Sequence, residues 1–144
     1  MDWHSDIPPL LLSVMCGFVI GLERELKKKP AGLRTNMIIC IGATIFTLIS
    51  IKIGTQFQDS ITRIAANVVV GVGFLGGGAV IQERAGVHGL TTAATIWLVA
   101  CIGMACGAKF YSLAIIGTIV SIIVLIGLAG VDKYLSARGL KKDE

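Results

Sequence analysis

Five apolar runs, at about residues 7–25, 35–51, 64–81, 90–108 and 110–131, alternate along the chain with short polar connections. Runs of this length without interior charge predict transmembrane helices. The expected architecture is therefore all-α: a polytopic bundle of five spans forming a single transmembrane domain over residues 1–144. Asp6 followed by Pro8 and Pro9 marks the first helix start, because an acidic cap precedes prolines that a first turn tolerates. The apolar part of that run, about Ile7 to Leu22, is short for a ~30 Å hydrocarbon core. It is expected to stand nearly upright, or to let Arg24 and the lysines snorkel. In KKKPAGLRT, Pro30 and Gly32 break the helix and Thr35 is placed to cap the next. Lys52 ends the second run, GTQFQDSITR leads to the third, and Lys109 alone separates the fourth from the fifth. Within the third run, Asn67 is the one strongly polar side chain, an intramembrane polar position.

The stretch Gly71–Trp97 organises the rest: a glycine-laced apolar run, a charged elbow with Gln82, Glu83, Arg84 and His88, then Thr91 and Thr92 opening a second apolar run. So short an elbow between two membrane-length runs predicts a tight helical hairpin. Gly71, Gly73 and Gly76 match GxGxxG in form. A dinucleotide site needs a preceding strand and a solvated helix start, whereas these glycines lie inside an apolar span. Packing explains them better. Gly17 and Gly21, Gly73 and Gly77, and Gly103 and Gly107 place a small-xxx-small pair on each of the first, third and fourth spans, where helix backbones can approach closely.

Composition supports the membrane class: of 144 residues, 54% are hydrophobic and 15% charged, against roughly 25% charged in soluble domains. The net charge of +4 would suit nucleic acid if its basic residues were clustered on a solvated face, but they bracket the apolar runs. They are orientation signals and contacts for the lipid bilayer, and no nucleic-acid partner is expected. In a five-span arrangement Lys52, Arg63 and Lys109 fall on one side and the other ten Lys and Arg on the opposite side. That split places the N-terminus outside and the C-terminus in the cytoplasm. MDWHSD offers no basic residue before the first run, so that run is expected to be a retained span and not a cleaved signal. Cys16, Cys40, Cys101 and Cys106 all lie inside apolar runs with no CxxC spacing, and read as small packing residues.

Candidate chemistry collects at the cytoplasmic helix ends. Glu25 lies four residues beyond Gly21 and Arg84 seven beyond Gly77, so each continues a glycine face. If the first and third helices pack through those faces, Glu25 and Arg84 meet; otherwise both are solvated, snorkelling charges. The N-termini of the second and fourth helices, near Arg34-Thr35 and Thr91-Thr92, favour an anion. A carboxylate of the chain itself, from Glu23, Glu25 or Glu83, also fits that role. The candidate site is thus Glu23, Glu25, Arg34, Thr35, Glu83, Arg84, Thr91 and Thr92. His88, with no second histidine nearby, reads as a solvated or interfacial side chain more than a ligand.

Two segments, GLERELKKKPAGLRTN and GFLGGGAVIQERAGVHGLTTAATIWLVACIGMACG, resemble the MgtC/SapB family of small bacterial inner-membrane proteins, in the family's order and across nearly the whole chain. Longer members append a soluble C-terminal domain that this sequence does not include. The resemblance implies a multi-pass inner-membrane protein active in adaptation to low magnesium or acid stress, some members acting on other membrane machinery. With no phosphate loop or phosphorylation motif, the chain reads as no enzyme, without cofactor or metal site. The favoured expectation is a regulator of a membrane-protein partner, with a homo-oligomer as a further expected assembly. The alternative is a small magnesium or cation transporter or channel, although the spans hold none of the carboxylates a magnesium path is expected to use.

Overall fold

The computed structural model describes residues 3–57, 62–83 and 86–137. After a 3₁₀ turn at Trp3–Ser5 come α1 (Ile7–Leu26), α2 (Leu33–Phe57) and α3 (Thr62–Gly78). A short antiparallel ribbon of β1 (Ile81–Glu83) and β2 (Gly86–His88) leads to α4 (Leu90–Gly107) and α5 (Tyr111–Ala137). Helices α1, α2, α4 and the Tyr111–Leu128 part of α5 are long and apolar enough to cross a membrane, and the chain is a multi-pass membrane protein. Helix α3, at 17 residues, spans only about 25 Å.

The other helices are built around α2, which packs against α1, α3 and α4. Two of those contacts are backbone on backbone. A Cβ on Gly17 would sit 2.9 Å from Met37 Cα, and one on Gly21 would sit 2.9 Å from both Leu33 Cα and Leu33 O. From the other side, a Cβ on Gly103 would collide with Cys40 O, and one on Gly107 would come within 2.6 Å of Thr44 O. The glycine pairs of α1 and α4 therefore grip α2 between them, the close approach that small residues permit where lipid gives little hydrophobic drive for association. Thr44 adds a polar link, its hydroxyl lying 2.8 Å from Gly103 O across the interface and 2.9 Å from Cys40 O in its own helix. Cys16, Cys40 and Cys106 are free thiols buried in this centre beside Ile20 and Val99.

Helix α5 lies against α1 and α4. It turns Ala114, Thr118 and Ser121 inward and leaves Ile115, Ile116, Ile119, Val120 and Ile123 exposed. That exposed stripe is what a lipid-facing helix presents. Asp6 stands at the N-cap position of α1 but makes no capping hydrogen bond; its carboxylate pairs with Lys52 on α2. At the opposite end Lys27 Nζ donates to Leu125 O at 2.9 Å, tying α5 to the end of α1.

Several expectations change. The third helix stops at Gly78, short of Ile81, and the elbow is a β-ribbon, so the tight helical hairpin does not form. The reason is local: three successive glycines, Gly76, Gly77 and Gly78, precede β-branched Val80 and Ile81, and glycine is the poorest helix former after proline. The helix winds down through short bonds, from Ala79 N–H to Gly76 O and from Val80 N–H to Gly77 O. Gly89, at φ +89°, then turns the chain into α4 beside Ala79, and a Cβ there would strike the Ala79 carbonyl. Helix α2 begins at Leu33, so Thr35 lies inside its first turn and caps nothing. It also runs on to Phe57 through Lys52, because Ile51 to Phe57 holds no proline to stop it. Gly73 and Gly77 pack against nothing, since a Cβ on either meets no atom within 4 Å. Helix α3 rolls so that Val68, Val72 and Gly76 face the bundle instead, and a Cβ on Gly76 would sit 3.5 Å from Ala93 O.

Helices α1 and α4 end in the same way. Lys28 N–H bonds Glu25 O and Lys29 N–H bonds Arg24 O; Lys109 N–H bonds Cys106 O and Phe110 N–H bonds Ala105 O. These are paired 5→2 and 6→1 caps with a left-handed residue at the turn, a place usually given to glycine. Here lysine holds it both times, at φ +53° for Lys28 and +63° for Lys109.

Candidate functional site

One end of the bundle gathers the last turn of α1, the first turns of α2 and α4, and the β-ribbon. Glu25 is exposed and its Oε2 accepts the Leu33 N–H at 2.9 Å. The carboxylate thus occupies the N-terminus of α2, satisfying one of its free donors and countering the positive end of the helix dipole. Gly32 makes room for it, since a Cβ there would overlap Glu25 Oε2. Asn36, fully buried, donates its Nδ2 to Ala31 O and Gly32 O at 2.8 Å each and so holds the α1–α2 turn in place.

Arg34 and Thr35 are exposed on the first turn of α2. Thr91 is exposed and Thr92 buried on the first turn of α4. Thr35 and Thr92 line one groove between α2, α3 and α4, with Pro30, Phe74, Gly78 and Ile96. The Arg84 residue and the Glu83 side chain lie outside what the structure describes, and so does the expected meeting of Glu25 with Arg84. Helix α1 lays its glycine face on α2, not on α3, so the packing that was expected to bring that pair together is absent. Asn67 is exposed on α3 beside a groove of about 400 Å³ between α2 and α3.

The two charged residues most deeply set here are Glu23, 7% exposed, and Arg24, 3% exposed. Lys27 Nζ lies 2.6 Å from Glu23 Oε1, close enough for an ion pair, although neither Glu23 oxygen is in hydrogen-bond alignment with a partner. Arg24 Nη1 is 3.6 Å from Glu23 Oε2, while its Nε and Nη2 are buried without any acceptor. Arg24 was not among the expected site residues, yet the signal was present. It lies four residues after Ile20 and seven after Gly17, on the side of α1 that packs, whereas Glu25 is one position further round.

Arg24 faces a second pocket of about 310 Å³, formed with Lys28, Lys29 and Pro30 of the α1–α2 turn and with His88, Gly89, Thr91 and Thr92 at the start of α4. The N-cap of α4 is Gly89, which has no side chain to cap the helix. Among the described residues no group of three or more His, Cys, Asp or Glu could hold a metal ion. The described polar side chains of the interior bond backbone instead. Ser13, Thr47, Thr95, Thr118 and Ser121 each donate to a carbonyl three or four residues earlier in the same helix.

Comparison with known proteins places this arrangement. An uncharacterized protein of Synechocystis is 35% identical over all of this chain, which spans 61% of that relative. The putative magnesium transporter YhiD of Escherichia coli K12 is 42% identical over 81% of this chain and 56% of its own length. The protein MgtC of Salmonella typhimurium LT2 is 44% identical over 77% of this chain and 47% of its own length. The chain thus spans roughly half to three-fifths of the relatives it matches. No solved structure matches it significantly. The MgtC family model matches residues 10–134, from within α1 to within α5, and the chain belongs to the MgtC family.

Proposed function

We propose that the chain is a non-catalytic protein of the bacterial inner membrane that regulates a membrane-protein partner in adaptation to low magnesium or acid stress. The observation that carries this reading is the closed centre of the bundle. Helices α1 and α4 meet α2 backbone to backbone, Ile20, Val99, Cys40 and Cys106 are fully buried between them, and the threonine and serine protons described there go to helix carbonyls. A path for magnesium needs converging oxygen ligands with room to replace its water, and backbone packed against backbone at these two interfaces leaves no such room. The ten-to-three division of basic residues supports an N-terminus outside and a cytoplasmic C-terminus. The end carrying Glu23, Glu25, Arg34, Thr35, Thr91 and Thr92, and next to them in sequence Glu83 and Arg84, then faces the cytoplasm, and this reading puts the partner contact there.

Transport is the competing reading, favoured by the name of the Escherichia coli relative and by Asn67 on the α2–α3 groove. Purified protein in sealed vesicles loaded with a magnesium-sensitive dye separates the two. The regulator reading expects influx equal to that of empty vesicles. A saturable flux that Asn67→Leu abolishes would overturn it.

A further inference from the structure

The pocket between the α1–α2 turn and the start of α4 combines three features that usually do not occur together by chance of packing. Its lining includes Arg24, 3% exposed, whose Nε and Nη2 have no acceptor among the described residues. Its rim carries Lys28 and Lys29. Its floor is the first turn of α4, an 18-residue helix whose N-cap, Gly89, has no side chain to cap it. A buried guanidinium with unmet donors is unfavourable unless an anion completes it, and an uncapped helix N-terminus offers N–H groups and a positive dipole end to the same anion. Of the carboxylates described at this end, Glu25 is held by the Leu33 N–H, and Glu23 lies beside Lys27 and 3.6 Å from Arg24 Nη1 without reaching Arg24 Nε or Nη2.

We propose that this pocket binds a phosphate group, held by the Arg24 guanidinium and the N-terminus of α4 and screened by Lys28 and Lys29. Three cations and a helix end suit a compact oxyanion of more than one negative charge better than a single carboxylate. The group is either free phosphate or the headgroup phosphate of an anionic lipid, since the pocket opens at an end of the bundle where both are at hand. The site is independent of whether the chain regulates a partner or moves an ion.

The test uses the full chain purified in maltoside micelles, which contain no phosphate, and follows thermal unfolding as ligand is added. Inorganic phosphate is titrated in one arm. In the other, phosphatidic acid is doped into the micelles, with a neutral diacylglycerol as control. A midpoint that rises with free phosphate assigns the soluble source; one that rises only with phosphatidic acid assigns the headgroup. Either result supports the site provided Arg24→Gln and Lys29→Gln weaken the response, Arg24→Gln by about tenfold or more in apparent affinity. Lys109→Gln, which removes the same charge at the opposite end, should leave it unchanged. If Arg24→Gln fails to fold, Lys29→Gln, on an exposed side chain, carries the comparison. No response to either ligand, or equal responses in all variants, overturns the proposal.

Discussion

The glycine pairs of α1 and α4 and the glycine pair of α3 have the same spacing and opposite fates. On α1 and α4 each glycine abuts backbone of α2; on α3, Gly73 and Gly77 meet nothing within 4 Å. The difference lies in the neighbours. Helix α2 presents accessible backbone on two sides, at Leu33 to Cys40 for α1 and at Cys40 to Thr47 for α4. Helix α3 reaches the bundle through Val68, Val72 and Gly76, a row four residues apart whose direction is about one residue away from the 73/77 row. Glycine spacing thus shows where two helices can touch closely, and the rotation of each helix decides whether they do.

The largest effect that tests this contrast should come from Gly103→Val against Gly73→Val. The first forces a branched side chain onto Cys40 O and should cost about 3 kcal/mol or more, or prevent folding. The second should change stability by less than about 1 kcal/mol in the isolated chain. Denaturant unfolding in detergent measures both, and similar losses would erase the distinction. Gly21→Ala ranks next, at about 1–3 kcal/mol, because Leu33 Cα and O leave no room and backbone cannot give way as a side-chain tip can. A loss there no greater than for Gly77→Ala would mean that α1 does not rest on α2 as described.

Thr44→Val should be smaller, about 0.6 kcal/mol, the average for a hydrogen bond between membrane helices. Denaturant unfolding in detergent measures it, and no loss for Thr44→Val would remove the link between Thr44 and Gly103 O. The smallest effect expected is a gain: Lys109→Gly should stabilise by up to about 1 kcal/mol, since its left-handed turn suits glycine. A loss of stability would show that the lysine makes a compensating interaction there.

Much of the candidate site was visible in the chain itself, though not its assignments. Pro30 and Gly32 correctly marked the break between α1 and α2, and Glu25 was named among the carboxylates able to fill a helix N-terminus, the place it takes at Leu33. Arg24 was read as a snorkelling charge, because an arginine near a helix end commonly reaches for water. Its setting is fixed where the α1–α2 turn meets the start of α4, an element far from it in sequence. Asn36 escaped notice for the same reason: one amide in an apolar run has no significance until Ala31 O and Gly32 O come within reach of its Nδ2.

The sequence by itself determined that this is a helical membrane protein with apolar runs in five places, since in hydrocarbon every backbone polar group must be satisfied within a segment and run length alone then marks the helices. It also determined which family the chain joins, because long motifs in fixed order need no coordinates to be recognised. Only the tertiary structure decided which glycine faces close, where the third helix gives way to a ribbon, and that Arg24, not Glu25, is the charge left buried without a full set of partners. Those outcomes depend on the rotation of each helix about its axis. Periodicity specifies that rotation only to within about one residue, and one residue on a helix is a turn of about 100°.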